Sequence, residues 1–316
     1  MDLSVFFAGT AGSVPSARRG LPAILVRRGG ERLLFDCGEG TQRQLVRSVG
    51  LADIDDVFVT HLHADHWLGL PGMLKSFDLR DRDRPLVVYG PVGIAELMGA
   101  MRQVYGRPSY GLSIIELESG DTVERDDYVV SAFSVRHRGT ALGYALIEDE
   151  RPGHFNATAA QGLGITPGPD FGRLQRGETV DGVAPEQVMG HSRPGRRIVI
   201  TGDTAPCEAV EIAAHRADVL VHEATFAEDE VDRARQTGHS TAAQAARLAR
   251  DADVQMLALT HLSARYAGPE LRDEARAILP GTVVPRDFDA IEVPFPERGE
   301  PLLQRWGDAR PERTAR

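Results

Sequence analysis

The stretch Val59-Thr60-His61-Leu62-His63-Ala64-Asp65-His66 carries three imidazoles and a carboxylate within six residues, directly after the apolar run Val57-Phe58-Val59. Neutral imidazole nitrogen and carboxylate oxygen suit zinc and related divalent ions. In extended backbone, residues two apart point the same way, so His61 and His63 can reach one ion together. A turn after His63 throws Asp65 and His66 toward a second position close by. One strand-end loop thus feeds two neighbouring metals. The bland alternative is a surface loop that happens to be rich in histidine. It fits poorly with a chain that holds ten histidines in 316 residues.

The rest of the composition narrows the class. A chain of this length buries a substantial core as one large domain or two small ones, and 42% hydrophobic with 26% charged residues is ordinary globular usage. No run approaches the ~20 apolar residues of a membrane span. The start Met1-Asp2-Leu3-Ser4-Val5-Phe6-Phe7 is acidic where a signal peptide is basic. Two cysteines, Cys37 and Cys207, make no disulfide framework and lack C-x-x-C spacing, so metal is expected on His and carboxylate and the location is expected to be cytoplasmic. Net charge is −10, which by itself disfavours a polyanion partner. The distribution softens this, because residues 1–50 carry seven Arg against four acids. Lys75 is the only lysine, so nearly every cation is a guanidinium fork suited to phosphate, although a biased genome gives the same excess.

Along the chain, strands are expected at Leu3–Ala8, at Ala23–Val26 and Arg32–Asp36 around a Gly29-Gly30 hairpin, and at Ile54–Thr60. Further strands follow at Leu86–Tyr89, Leu112–Leu117, Tyr128–Val135 and Gly143–Ile147. Helical spacing covers Thr41 to about Val49 with Thr41 as cap, then Leu68–Leu79 and Gly93–Val104. Glu150 to Val183 is interrupted by glycine and proline and is sparse in apolar residues, which suits a lid or binding arm. Beyond it a strand–loop–helix pattern repeats through Arg197–Thr201, Val219–Val221 and Gln255–Leu259. Ser240 or Thr241 is expected to cap an Ala-rich helix running to about Arg250, and the tail from about 297 to 316 is expected to fray.

Four apolar strands end at His61, Asp203, His222 and His261, and strand ends of α/β sheets converge on active sites. A two-metal hydrolytic site needs ions ~3.5–4 Å apart and about six to eight ligand atoms. One ion is assigned His61, His63 and His137, the other Asp65, His66 and His261. Asp203 bridges them, because a carboxylate has two oxygens to share. Asp65 would orient or deprotonate the attacking hydroxide. Glu223 beside His239 could make that imidazole a general acid, or each could simply support a ligand. His154, His191 and His215 read as surface residues.

His61-x-His63-x-Asp65-His66 with His137, Asp203 and His261 resembles the metallo-β-lactamase superfamily. Finer features resemble its ribonuclease Z family of tRNA 3′-processing endonucleases. These are the Phe-x-Ala-Gly-Thr-x-Gly-Ser start, Leu34 to Gln44, Thr60 to His66, His222-Glu223-Ala224-Thr225 and Gly238-His239-Ser240-Thr241, with Gly153-His154-Phe155 and Gly164 to Pro169 in the arm. The resemblance implies an α/β (α+β) fold, an αββα four-layer sandwich with a protruding Gly/Pro-rich exosite arm at about 150–183, all within one domain spanning 1–316. It implies a zinc-dependent endoribonuclease removing 3′ trailers from precursor tRNA by metal-hydroxide attack and leaving a 3′-hydroxyl. It further implies two Zn²⁺ per subunit (Mn²⁺ or another divalent ion as the alternative), Asp65, His239 and Glu223 in proton transfer, and a homodimer whose partner is precursor tRNA, with neither membrane nor DNA.

One loop departs from the family's Pro-x-Lys-x-Arg-Asn pattern. Here Pro15 and Arg19 stay, while Ala17 and Gly20 replace Lys and Asn. That loop is associated with reading the acceptor-stem end, so the cleavage position relative to the discriminator base and CCA does not carry over. The competing reading is a hydrolase of small molecules on the same fold, such as a phosphodiesterase, lactonase or sulfatase, which has no need of an arm. A third, an RNA-binding module with a degenerate metal site, sits badly with a complete ligand set.

Overall fold

A computed structural model of the chain describes residues 1–51 and 54–307. Six strands in chain order build most of a first sheet: β1 Leu3–Gly9, β2 Ala23–Arg28, β3 Glu31–Phe35, β4 Asp56–Phe58, β5 Leu86–Pro91 and β6 Leu112–Leu117. The next six form a second: β7 Thr122–Glu124, β8 Tyr128–Ser134, β9 Leu142–Glu148, β10 Arg197–Ile200, β11 Val219–Glu223 and β12 Met256–Thr260. Two late strands, β13 Ala290–Glu292 and β14 Leu302–Gln304, return to the first sheet, giving the orders β14-β13-β1-β2-β3-β4-β5-β6 and β12-β11-β10-β9-β8-β7. The tail expected to fray from about 297 thus pairs as a strand at Leu302–Gln304, because Leu303 packs on the core between the sheets. Residues 308–316 lie outside the described residues.

Alternation along each strand divides the apolar side chains between layers. On β1, Leu3, Val5 and Phe7 face Tyr128, Val130, Tyr144, Ile198 and Val219 of the second sheet. Phe6 and Ala8 face the other way, onto Leu45 of helix Thr41–Arg47 and Leu70, Met73, Leu74 and Phe77 of helix Leu70–Asp78. The second sheet repeats the pattern outward. Val199, Leu220, Leu257 and Leu259 meet helices Glu208–Ala214, Ala242–Asp251 and Gly268–Arg276. The result is the four-layer αββα arrangement. β3 to β6 run parallel, as do β10 to β12, so both groups deliver their C-terminal ends together. Under that edge Phe35, Phe58 and Tyr89 stack at 5.0 and 4.9 Å, and Tyr144 from the second sheet donates its hydroxyl to the Val59 carbonyl at 2.8 Å.

Local expectations shift in three places. Thr41 does not cap its helix. Gly40 does, at φ 84°, and the Thr41 hydroxyl donates to the Gly38 carbonyl at 2.7 Å. The helix expected over Gly93–Val104 is two, Ile94–Ala100 and Arg102–Tyr105. Helix Val231–Thr237 and strand β7 have no counterpart in the sequence pattern.

The Gly/Pro-rich segment has its own core. Ala160, Ile165, Leu174, Val180, Val183 and Val188 are buried together, around helices Ala157–Gly162 and Pro169–Gln175. Its base closes by backbone pairing of Arg151 with Arg193, ten residues beyond the expected end at 183. The C-terminal segment clamps that base. Glu297 accepts from Arg151 at 2.7 Å and Arg193 at 2.8 Å, and the guanidinium carbons of Arg151 and Arg196 lie 3.6 and 3.9 Å from the Phe295 ring centre.

Candidate metal centre

The backbone from β4 stays extended to His63 (φ −68°, ψ 144°) and then turns into the one-turn helix Ala64–Trp67. That change of direction sends His61 and His63 one way and Asp65 and His66 another. The loop is pinned by the Trp67 indole donating to the Leu62 carbonyl at 3.0 Å, and by the Cys37 amide donating to the His66 carbonyl at 2.7 Å. Only glycine fits against it at two points. A Cβ on Gly38 would stand 2.3 Å from the Asp65 carbonyl oxygen, and one on Gly69 2.1 Å from that of Gly38. The Asp36-Cys37-Gly38 run is therefore the wall on which the histidine loop is cast.

Two donor groups result. His63 Nδ1 lies 3.0 Å from His61 Nε2 and 3.2 Å from His137 Nε2, and Asp203 Oδ2 is 3.8 and 4.0 Å from the same two Nε2 atoms. In the second group His66 Nε2 is 3.5 Å from Asp65 Oδ2 and 3.4 Å from Asp203 Oδ1, while His261 Nε2 is 3.4 and 3.2 Å from those oxygens. Asp203 gives one oxygen to each group. All seven residues expected from the sequence meet here.

The second ring nitrogens fix which atom faces inward. His66 Nδ1 donates to Asp36 Oδ2 at 2.7 Å, His137 Nδ1 to the Gly238 carbonyl at 2.7 Å, His261 Nδ1 to Thr225 Oγ1 at 2.9 Å and His61 Nδ1 to Thr60 Oγ1 at 3.1 Å. These partners assign the tautomers and leave Nε2 of each ring as a lone pair pointing at the others. Buried lone pairs facing one another are unfavourable unless something positive lies between them. His66 Nε2 and Asp203 Oδ1 are buried without hydrogen-bond partners, and the donor set is imidazole and carboxylate throughout. The residues fit a pair of divalent ions.

In the protein alone, imidazole charge takes the place of that positive group: burial works to lower His66, but Asp203 and Asp36 hold it well above its ordinary value. Burial alone would raise the Asp203 carboxyl, but His261 and His66 hold it well below the usual carboxylate range. Asp65 behaves likewise: burial works to raise it, and the neighbouring His261 and His66 bring it down. Burial, then the neighbouring His66, pushes His61 well below its ordinary value.

Glu223 and His239 stand beside the second group. Glu223 is buried, and its Oε1 accepts from His239 Nδ1 at 2.7 Å and from the Thr204 amide at 3.0 Å, while Oε2 takes the Thr225 amide and hydroxyl at 3.0 and 2.6 Å. Burial would lower His239, but Glu223 pushes it up to about 9. With Nδ1 committed, His239 presents Nε2 to the cleft. The strand end marked by His222 reaches the site as expected, but through its neighbour Glu223. His222 precedes Glu223 on β11, and its Nδ1 donates to the Glu223 carbonyl at 2.8 Å instead of entering either donor group.

Three contributors escape a reading of the sequence: Asp36, Thr225 and the Ser13 amide, which donates to Asp65 Oδ2 at 2.9 Å. Asp36 sits at φ 58°, where Asp is tolerated, and lies inside a run that stands out in the sequence without revealing a role for it. Arg19, the cation kept in the altered loop, turns inward. Its Nη1 donates to Thr10 Oγ1 at 2.5 Å and to the Pro285 carbonyl at 2.9 Å. Gly20 donates its amide to Asp287 at 2.6 Å, and Arg18 is that loop's exposed cation.

The family model described as the metallo-beta-lactamase superfamily matches residues 20–261. Ribonuclease Z of Natronomonas pharaonis is 48% identical over 308 residues, covering 94% of this chain and 100% of that protein. Ribonuclease Z of Haloferax volcanii is 48% identical over 305 residues, covering 93% and 96%. The crystal structure of human tRNase Z, short form, superposes with a TM-score of 0.68 at 28% identity, covering 92% of this chain and 99% of that one. With donors, sandwich and sequence in agreement, the chain belongs to the ribonuclease Z family of the metallo-β-lactamase superfamily.

Proposed function

We propose that the protein is a metal-dependent endoribonuclease that removes 3′ trailers from precursor tRNA. The observation that carries this is the pairing of two donor groups through Asp203 with a separate Glu223–His239 couple at their side. In this reading His61, His63, His137 and Asp203 hold one Zn²⁺, and Asp65, His66, His261 and Asp203 hold the other. The ions, when bound, supply a water activated at neutral pH and positive charge against the phosphodiester. Asp65, fixed by the Ser13 amide at 2.9 Å, would orient the attacking water and accept its proton. His239, steadied by Glu223, gives a proton from Nε2 to the leaving 3′-oxygen as the P–O3′ bond breaks. The tRNA keeps a 3′-hydroxyl and the trailer a 5′-phosphate. The segment from 151 to 193 serves as the exosite arm of a single domain, and the active form is a cytoplasmic homodimer, as the family resemblance supports. Among the described residues no helix is long and apolar enough to cross a membrane.

Incubating the purified protein with a trailer-bearing precursor tRNA, with and without chelator, and sequencing the product ends tests the reading. Chelator-sensitive cuts at the tRNA 3′ end are expected, with zinc near two per chain by metal analysis. Failure to cut tRNA alongside rapid hydrolysis of small phosphodiesters would favour the small-molecule reading.

A further inference from the structure

His239 stands between two clefts of about 380 Å³ each. The clefts match in size and differ in charge. One is lined by Arg136, Arg138 and Arg235, together with His137 and Gln244. No carboxylate lines it, and none of the three guanidinia makes an ion pair among the described residues. Arg138 donates to the Gln236 carbonyl at 3.0 Å, which holds its fork in place without neutralising it. Arg136 leaves a fixed backbone, its amide donating to Thr204 Oγ1 at 3.1 Å and its carbonyl accepting from the Ala205 amide at 2.8 Å. The other cleft is lined by Arg233 and Arg265, but Glu230 lies 3.5 Å from the first and 3.0 Å from the second, and also accepts from the Tyr266 hydroxyl at 2.7 Å. One carboxylate shared between two guanidinia offsets half of that cleft's charge.

What sets this cleft apart is concentration: three arginines without ion pairs share one concavity that no carboxylate lines, in a chain of net charge −10. Like charges gathered without counter-charge repel, and the arrangement is relieved when an anion enters. Guanidinium forks match phosphate oxygens bidentately. We infer that the Arg136–Arg138–Arg235 cleft is a subsite for the backbone phosphates of RNA on one side of the scissile bond. Nucleotides on the other side, in the Arg233–Arg265 cleft, meet a weaker positive charge because Glu230 already engages both guanidinia. The assignment rests on the proposed ribonuclease reading for its ligand class and on the charge asymmetry for its location.

The test uses the metal-loaded full chain, Arg136→Gln, Arg138→Gln and Arg235→Gln singly and together, and Arg107→Gln as an exposed control outside both clefts. KM and kcat on trailer-bearing precursor tRNA are measured across a salt series, with equilibrium binding of a short single-stranded RNA under the same conditions. The triple variant should raise KM at least tenfold and reduce the slope of log K against log salt by about 2, since each phosphate neutralised on a single strand contributes about 0.7. Arg107→Gln should match the parent. An unchanged slope in the triple variant, or an equal fall for Arg107→Gln, overturns the subsite. If the parent protein cuts no tRNA, the ribonuclease reading fails by itself, and the binding slopes still report on the cleft.

Discussion

At the scale of single residues, the inward-facing atoms are set by the groups behind them. Asp36 holds His66 by Nδ1 and also accepts from the Thr60 amide at 2.8 Å and the Thr60 hydroxyl at 3.0 Å, so one buried carboxylate orients one donor, His66, and the residue that precedes another, His61. Asp36→Ala should lower metal affinity by about 10- to 100-fold while leaving all seven donors present. Competition titration against a chromophoric chelator reads this directly. Unaltered affinity would mean that packing alone orients His66. His239→Ala should reduce single-turnover cleavage by about 10² to 10⁴, the range for a general acid, with tRNA affinity retained. Near-parental turnover would remove His239 from proton transfer and leave it a neighbour of Glu223.

At the scale of elements, the strap formed by Phe295 and Glu297 meets the Gly/Pro-rich segment where it leaves β9. Phe295 offers a ring to Arg151 and Arg196, and Glu297 accepts from Arg151 and Arg193 across the Arg151–Arg193 pairing. Replacing both by Ala should loosen the segment's attachment without touching the donor groups. KM for precursor tRNA is then expected to rise several-fold, while hydrolysis of a chromogenic phosphodiester stays at the parental rate. Equal losses on both substrates would show that the strap supports the sandwich and not the segment. Much of this scale is readable from periodicity. β6 is found at Leu112–Leu117 as expected, and Thr241 caps its helix by accepting from the Gln244 amide at 3.1 Å. The Glu150–Val183 segment, by contrast, looks poorer in apolar residues than its packing proves it to be. Of its buried side chains only Ala160 and Leu174 lie in the two short helices, while Ile165, Val180, Val183 and Val188 lie outside them, so no window shows a period.

For the molecule as a whole, a buried charge network ties the two sheets together. Arg28 of β2 and Arg196 both bind Glu148 of β9, at 2.9 and 2.7 Å, and Arg28 also grips Asp127. Burial works to raise the Glu148 carboxyl, but hydrogen bonds from Arg196 hold it below its ordinary value of 4.5. A carboxyl depressed in the folded state contributes stability above its unfolded value, and that contribution is lost as pH falls through the lower folded value. Stability should therefore decline below about pH 4.5 through this group. Glu148→Gln should lower stability near neutral pH by about 3 kcal/mol, since it leaves buried guanidinia uncompensated, and should narrow the gap between neutral and acid midpoints. Urea unfolding at both conditions measures it, and a gap as wide as in the parent would place the acid sensitivity elsewhere.

By itself the sequence determined the ligand types and the alternation of strands and helices. His61, His63, Asp65 and His66 are legible as one loop because their relation is local: extended backbone followed by one helical turn sorts them between two positions whatever surrounds them. His137, Asp203 and His261 are legible only by analogy of strand ends, since Asp203 and His261 arrive by parallel crossovers and His137 by the antiparallel β8–β9 connection, which bring distant residues to one edge. The strand end at His222 converges as well, but β11 turns alternate side chains to opposite faces and gives that edge to Glu223. Tertiary structure alone decided which nitrogen of each ring faces inward, the role of Asp36, and the difference in charge between the clefts beside His239. Those properties belong to partners far apart along the chain, and no spacing within a window can encode them.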